Sequence, residues 1–252
     1  MKLHFVSSQA PEAVNAAQKL KHQFGQAPRD DADVIVALGG DGLMLETVHT
    51  VLGSGQAIFG MNRGSVGFLM NDFEVDTLVD RISAAAETII HPLNMTVTDR
   101  RGKTHSALAF NEVSMLRQQH QAAKLRISID GKLRLDELIC DGIIIATPAG
   151  STAYNLSAHG PILPINSPLL ALTPISPFRP RRWRGAILSR EAEVEIEMLE
   201  PDKRPVSAVA DQTEFRNIAK VVVSEDEKRS ARLLFDDGHS LAERVLNEQF
   251  QF

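Results

Sequence analysis

The stretch Val34-Ile35-Val36-Ala37-Leu38-Gly39-Gly40-Asp41-Gly42 decides the fold of the first part of the chain. Its apolar run shows no polar alternation, so it reads as a strand buried on both faces, as in a parallel sheet covered by helices. The run passes directly into Gly39-Gly40-Asp41-Gly42, and behind it Leu45, Val48 and Leu52 mark the face of a helix. Toward the N-terminus, Leu3 to Val6 reads as a strand, and Ala13, Ala16, Ala17, Leu20 and Phe24 then share one helix face. Toward the C-terminus, Ala57 to Phe59 reads as another short strand, and Val75, Leu78, Val79 and Ile82 as a further helix. Residues 1–91 are therefore expected to form an α/β domain with a parallel sheet.

Beyond His91-Pro92 the pattern changes to period two. Met95 to Thr98 and Ser106 to Phe110 flank an Arg101-Gly102 turn, and Lys124 to Ile129 faces Lys132 to Leu138 across Asp130-Gly131, a strong hairpin signal. Glu193 to Glu197 and Lys220 to Ser224 continue the alternation, so residues 92–237 are expected to close into an all-β sandwich. Ser240 and Glu243 form a capping box before Leu241, Val245 and Leu246, which predicts a terminal helix. The sandwich has no evident need for that helix, so the tail 238–252 is assigned to the α/β domain.

Composition excludes several classes. The chain has 252 residues, 43% hydrophobic and 23% charged, enough for a full core at a length where a second domain is common. It has no apolar run near the roughly 18 residues of a membrane span, and no apolar N-terminal stretch that marks it for export, so a cytoplasmic location without membrane contact is expected. A net charge of −5 provides no basic footprint for nucleic acid. The single cysteine, Cys140, lies beside Leu138 and Ile139 and reads as core. The eight histidines show no metal-ligand spacing.

Chemistry concentrates in a few loops. Glycines between a buried strand and a helix let backbone N–H groups approach a phosphate at the helix N-terminus; equally, Gly39 to Gly42 could form a tight turn with Asp41 as a helix cap. The chain has neither G-x-G-x-x-G after a strand nor G-x-x-x-x-G-K-[ST]. A carboxylate among such amides would repel a bound phosphate unless it faces a metal or a hydroxyl to be deprotonated, so Asp41 points to phosphoryl transfer to an alcohol. Asn62-Arg63-Gly64-Ser65-Val66-Gly67-Phe68-Leu69 follows the next strand and belongs at the same carboxyl edge, unless it is only a glycine-supported connection. Asn111-Glu112 places a neutral donor–acceptor and a carboxylate at a strand end.

The densest segment is DGIIIATPAGSTAYNLSAHGPIL, Asp141 to Leu163. A buried strand breaks at Thr147-Pro148 into small and hydroxyl residues. Ser151, Thr152, Asn155 and Ser157 could bond ribose and phosphate oxygens, and Tyr154, the only tyrosine, could stack on a base. The competing reading is a short capped helix with Tyr154 in the core and Ser157 exposed. Arg179, Arg181, Arg182 and Arg184 around Trp183 read as a solvated face, an anion site or a subunit contact.

With GGDG at 39–42, GSVGFL at 64–69, Asn111-Glu112 and DGIIIATPAGSTAYNLSAHGP at 141–161, the chain resembles the NAD kinase family. The resemblance implies transfer of the γ-phosphoryl group of ATP to the 2′-hydroxyl of the adenosine ribose of NAD, giving NADP, with a divalent metal such as Mg²⁺. It also implies an N-terminal α/β domain, a C-terminal β-sandwich, a returning tail, and a homodimer or homotetramer. Carried over by position, Asp41 is the expected catalytic base. Asn111, Glu112, Asp141, Thr152, Ala153, Tyr154 and Ser157 are the expected NAD contacts, and Gly40 and Gly42 serve phosphates. Three positions depart from the family pattern: Leu43 replaces a common threonine, Phe178 a frequent histidine, and Asp211-Gln212 lacks an intervening glycine. Two other classes compete: a lipid kinase of the same superfamily, which would not need the 141–161 motif, and a non-catalytic NAD(P) sensor, which could dispense with Asp41.

Overall fold

The structure is a computed structural model that describes residues 1–64 and 67–250. Ser65 and Val66 of the loop expected at the carboxyl edge lie outside the described residues. The chain divides into two compact units, residues 1–90 with 228–252, and residues 91–227. Chain order in the first unit is β1 (Leu3–Ser7), α1 (Pro11–Phe24), β2 (Val34–Gly39), α2 (Asp41–Val51), β3 (Ala57–Asn62), α3 (Leu78–Ala84) and β4 (Ala86–Ile90). The second unit contains β5 (Leu93–Asp99), β6 (Thr104–Ala109), β7 (Glu112–Arg117), β8 (Ala123–Ile129), β9 (Lys132–Cys140), β10 (Gly142–Ala146) and a four-residue α4 (Tyr154–Ser157). It continues with β11 (Leu169–Ile175), β12 (Ala186–Ser189), β13 (Val194–Met198), β14 (Val206–Ala210), β15 (Thr213–Phe215) and β16 (Ile218–Glu225). The chain then returns to the first unit as β17 (Ala231–Phe235) and α5 (Leu241–Glu248).

The first sheet has the order β1-β2-β3-β17-β4, with β4 alone antiparallel at one edge. Every residue of β2 is buried, as its unbroken apolar run requires. The helix faces differ in detail from the sequence reading. In α2 the buried residues are Met44, Thr47, Val48 and Val51, while Leu45 and Leu52 are only half-buried. Thr47 can sit inside because its hydroxyl donates to the Leu43 carbonyl at 2.7 Å, so a pattern that counts threonine as polar misplaces the face. In α3, Val79 is exposed.

The return begins earlier than the sequence suggests. Ala231–Phe235 belongs to the first sheet, not to the sandwich: Leu233 pairs with Ile58 of β3 in parallel and with Thr88 of β4 in antiparallel register. A short apolar run with an exposed alternate residue suits either sheet locally, so only the long-range pairing decides. The Ser240 half of the capping box is formed, with Ser240 Oγ accepting from the Glu243 N–H at 3.3 Å, and Leu241 and Val245 are buried. Leu246 is 48% exposed and is not part of that face.

The second unit is two antiparallel six-stranded sheets, β12-β11-β10-β7-β14-β15 and β6-β5-β16-β13-β8-β9. The expected hairpins β5–β6 and β8–β9 are present, the latter turning through Asp130 and Gly131 at φ +51° and +69°. One core joins the sheets, with Val113, Met115, Ile143, Ile145 and Leu172 from the first and Met95, Ile127, Ile196 and Val221 from the second. The other face of β10, Ile144 and Ala146, packs against Leu163 and Ala171. This explains the unbroken GIIIA run: the sandwich covers one face of β10, and the chain that follows the strand covers the other.

Candidate active site

In the first unit, Asp41 is the opening residue of α2. Gly40 is its N-cap, with no side-chain cap bond, so the capping reading of Asp41 does not stand. The carboxylate instead accepts two backbone bonds: Oδ2 from the Phe68 N–H and Oδ1 from the Leu69 N–H, both at 2.8 Å. Gly67 permits this approach, because a Cβ there would meet Met70 Cγ at 2.7 Å and lie 3.2 Å from Asp41 Oδ1. The 62–69 loop is also tied to the glycine loop by the Arg63 N–H, which donates to the Gly39 carbonyl at 2.8 Å. Gly40 and Gly42 have open space where a Cβ would stand and neither has a positive φ, so folding alone does not demand glycine at either position. Gly42, inside the helix, costs about 1 kcal/mol relative to alanine, whereas Gly40 stands at the extended N-cap, where glycine is well tolerated.

Arg63, which sequence reasoning passed over as a site residue, stacks its guanidinium 4.3 Å from the Phe73 ring centroid. Its Nε is buried without a hydrogen-bond partner. Its Nη2 lies 3.8 Å from Glu12 Oε2, so the cation is partly paired and Nε is the donor that stays open. Leu43 packs over Gly39, where a Cβ would come within 2.9 Å of Leu43 Cδ2.

In the second unit, a close network shapes Phe110–Glu112. Thr147 Oγ1 donates to the Phe110 carbonyl at 2.6 Å, and the Thr147 N–H donates to the Asn111 carbonyl at 3.0 Å. Gly150 lies so close to Asn111 that a Cβ would collide with the Asn111 backbone carbonyl. Asp211, at φ +48°, accepts the Phe110 and Asn111 N–H groups at 2.7 and 3.0 Å. Two carboxylates, Asp41 and Asp211, thus each clasp a pair of successive backbone amides.

Glu112 is the most perturbed acid of this network. Burial, reinforced by the Asp211 charge, pushes its carboxyl up to about 7, against a partial pull from the Tyr154 N–H. The residue is half-buried overall, yet its Oε2 is out of contact with water and has no hydrogen-bond partner. A buried acceptor of this kind costs stability unless a ligand donor fills it.

The 149–157 segment is a short 3₁₀ turn followed by α4. Tyr154 is 36% exposed, which rules out the core reading, and Ser157 is exposed. Burial, with help from Glu112 and Asp141, raises the Tyr154 hydroxyl above its ordinary range, so both acids lie near it. Thr152 and Ala153 are half-buried, and Asp141 is paired with Arg117 at 2.5 Å. Ser151 and Asn155 are not available to a ligand. Ser151 Oγ donates to the Pro148 carbonyl and accepts the Leu163 N–H, while Asn155 bonds Ser151, Pro161 and Thr173. Both are fully buried, so their polar groups hold the loop together. His159 is exposed at φ +62°, and Arg179 and Arg181 flank the exposed Phe178 ring.

The sequence matches the ATP-NAD kinase N-terminal domain over residues 2–93 and the ATP-NAD kinase C-terminal domain over residues 110–233. The chain belongs to the NAD kinase family. It is 56% identical to the NAD kinase of Hyphomonas neptunium over 252 residues, covering 100% of this chain and 99% of that protein. It is 60% identical to the NAD kinase of Caulobacter vibrioides over 249 residues, covering 99% and 96%. In fold it is similar to yeast NADH kinase complexed with NADH, with TM-score 0.83, 20% identity and coverage of 100% and 88%. A second likeness is an Archaeoglobus fulgidus NAD kinase in complex with ATP, with TM-score 0.78, 22% identity and coverage of 98% of each chain.

As a NAD kinase the chain is an enzyme that phosphorylates NAD, which sets aside the lipid kinase and the non-catalytic sensor. The family departures are accommodated locally. Leu43 makes apolar contact with Gly39, and Asp211 performs its clasp without a following glycine because its own backbone takes the left-handed conformation. Among the described residues no helix is long and apolar enough to cross a membrane.

Proposed function

We propose that Asn111, Glu112, Asp141, Thr152, Ala153, Tyr154 and Ser157 hold NAD, and that Asp41 accepts the proton of its adenosine 2′-hydroxyl during phosphoryl transfer. The observation that carries the second assignment is the two-amide clasp on Asp41. Each carboxylate oxygen keeps a lone pair after accepting one N–H, so the group is oriented and still able to accept a hydroxyl proton. The 2′-oxygen bonds to the γ-phosphorus, the bond from that phosphorus to the ADP oxygen breaks, and the proton passes to Asp41. In NAD binding, the open Oε2 of Glu112 accepts a ribose hydroxyl and the exposed Tyr154 ring stacks on a base. The Gly40 and Gly42 amides, with Arg63 beside them, face donor phosphates.

Among the described residues no three His, Cys, Asp or Glu side chains converge on one point. A Mg²⁺ ion brought in by the phosphates of ATP would need at most one or two protein ligands, so it would not require such a cluster. Such an ion neutralises charge on the transferring group. The homodimer or homotetramer belongs to the same proposal: β12 is an edge strand with Ile187 exposed, and Phe178 is exposed in the same unit, surfaces suited to a second copy. Sedimentation of the purified protein tests it.

NAD lacking only its adenosine 2′-hydroxyl tests the acceptor assignment. It should compete with NAD and never be phosphorylated, since most contacts survive and the nucleophile is gone. Phosphate on the analogue would refute the placement of Asp41. Asp41→Asn should lower turnover by roughly 10²–10⁴-fold with NAD affinity retained. Near-normal turnover would remove the general base.

A further inference from the structure

Helix α5 places an arginine, Arg244, three residues after the buried Leu241 and next to the buried Val245. The guanidinium reaches into the 68–71 segment. Its Nη1 donates to the carbonyls of Met70 at 2.5 Å and Phe68 at 3.2 Å, and its Nη2 to Asn71 Oδ1 at 3.4 Å. Its Nε donates to the His239 carbonyl at 3.1 Å, and the cation stacks 5.2 Å from the Phe235 ring centroid. All four of these acceptors are neutral.

The same segment holds Asp41. Phe68 presents its N–H to the Asp41 carboxylate and its carbonyl to Arg244, and Leu69, whose N–H completes the clasp, lies between the two gripped carbonyls. Asn71 fixes the far end, donating to the Leu234 carbonyl at 3.0 Å and accepting the Asp236 N–H at 3.0 Å. Rotation of the 68–69 peptides would break bonds on both sides at once. Burial lowers the affinity of the guanidinium for its proton, while the charges of Asp236, Asp72 and Asp41 oppose that effect. Burying a cation against neutral carbonyls is costly, and docking of α5 through Leu241 and Val245 does not require it.

We propose that Arg244 is a positioning residue for Asp41: by anchoring the Phe68 and Met70 carbonyls, it fixes the direction of the two amides that orient the Asp41 carboxylate. The proposal rests on the reading of Asp41 as the base. It makes the C-terminal helix part of the catalytic apparatus rather than only a cover for the sheet.

The test uses Arg244→Ala and Arg244→Lys, alone and combined with Asp41→Asn, with Leu241→Ala as a variant that loosens α5 but keeps the guanidinium. Arg244→Ala should lower kcat by roughly 10–100-fold and leave KM for NAD within about twofold, the scale set by a small misplacement of a reacting group. Arg244→Lys should recover only part of the loss, because an ammonium is a point donor and not a fork. In the Asp41→Asn background, Arg244→Ala should cost almost nothing further, since groups that act as a unit are not additive. Leu241→Ala should lower the melting temperature with kcat nearly unchanged below it. Near-normal kcat in Arg244→Ala overturns the proposal, as do an equal fall in both backgrounds and a matching fall in Leu241→Ala. If Asp41→Asn alone is near normal, the base assignment fails first and the positioning role falls with it.

Discussion

Glu112→Gln removes a carboxyl that the fold holds at a cost. Its folded-state value of about 7 against an ordinary 4.5 is a gap of about two and a half pH units, on the order of 3 kcal/mol between the two protonation states. Because the folded carboxyl binds its proton more tightly than the unfolded one, the associated stability is fully present below about pH 4.5. It is lost as the pH rises through about 7. Glutamine resembles the protonated acid at every pH, so the variant should melt close to wild type near pH 5 and above it near pH 8. The glutamine amide places its own buried NH₂ group, and part of the side chain meets water, so roughly half of the gap should survive. For a chain of this size that corresponds to a melting-temperature advantage about 3–6 °C larger at pH 8 than at pH 5. Differential scanning calorimetry at the two pH values measures it, and NAD affinity should fall at both. An advantage that does not change with pH would refute the claim that the buried charge destabilises the fold.

Tyr154→Ala should leave the melting temperature nearly unchanged, because the residue is already 36% exposed, while NAD binding weakens by about 1–3 kcal/mol in calorimetric titration. Unaltered affinity would end the stacking assignment. Gly150→Ala drives a Cβ into the Asn111 carbonyl, so it should cost at least about 2 kcal/mol of stability and raise KM for NAD in the same variant. A fully stable, fully active alanine variant would mean that the 149–152 turn does not shape Asn111-Glu112. Cys140 is buried and its thiol is pushed up to about 12, mainly by burial, so the native protein should resist thiol reagents that label the unfolded chain.

The sequence by itself determined the elements and their order, because period two, period 3.6 and unbroken apolar runs report local burial directly. It placed the α/β start, the β5–β6 and β8–β9 hairpins, the Ser240 cap, and the loops that carry Asp41 and the 141–161 motif. It misjudged Thr47, whose hydroxyl is satisfied by its own helix. It also misjudged Ser151 and Asn155, whose polar side chains suggested a ligand but close the loop on itself. The tertiary structure alone decided what depends on residues far apart in the chain. Ala231–Phe235 enters the first sheet because the edge of β3 offers it backbone partners, which no local pattern encodes. Asp41 is oriented by N–H groups 27 and 28 residues away, in a segment whose Phe68 and Met70 carbonyls Arg244 grips from 176 and 174 residues away. Asp211 sets Asn111-Glu112 from the end of the neighbouring strand β14, 100 residues along the chain, and Glu112 acquires its perturbed carboxyl only there. A side chain's type is written in the sequence, but its orientation and proton affinity are set by the backbone dipoles and charges that folding brings to it.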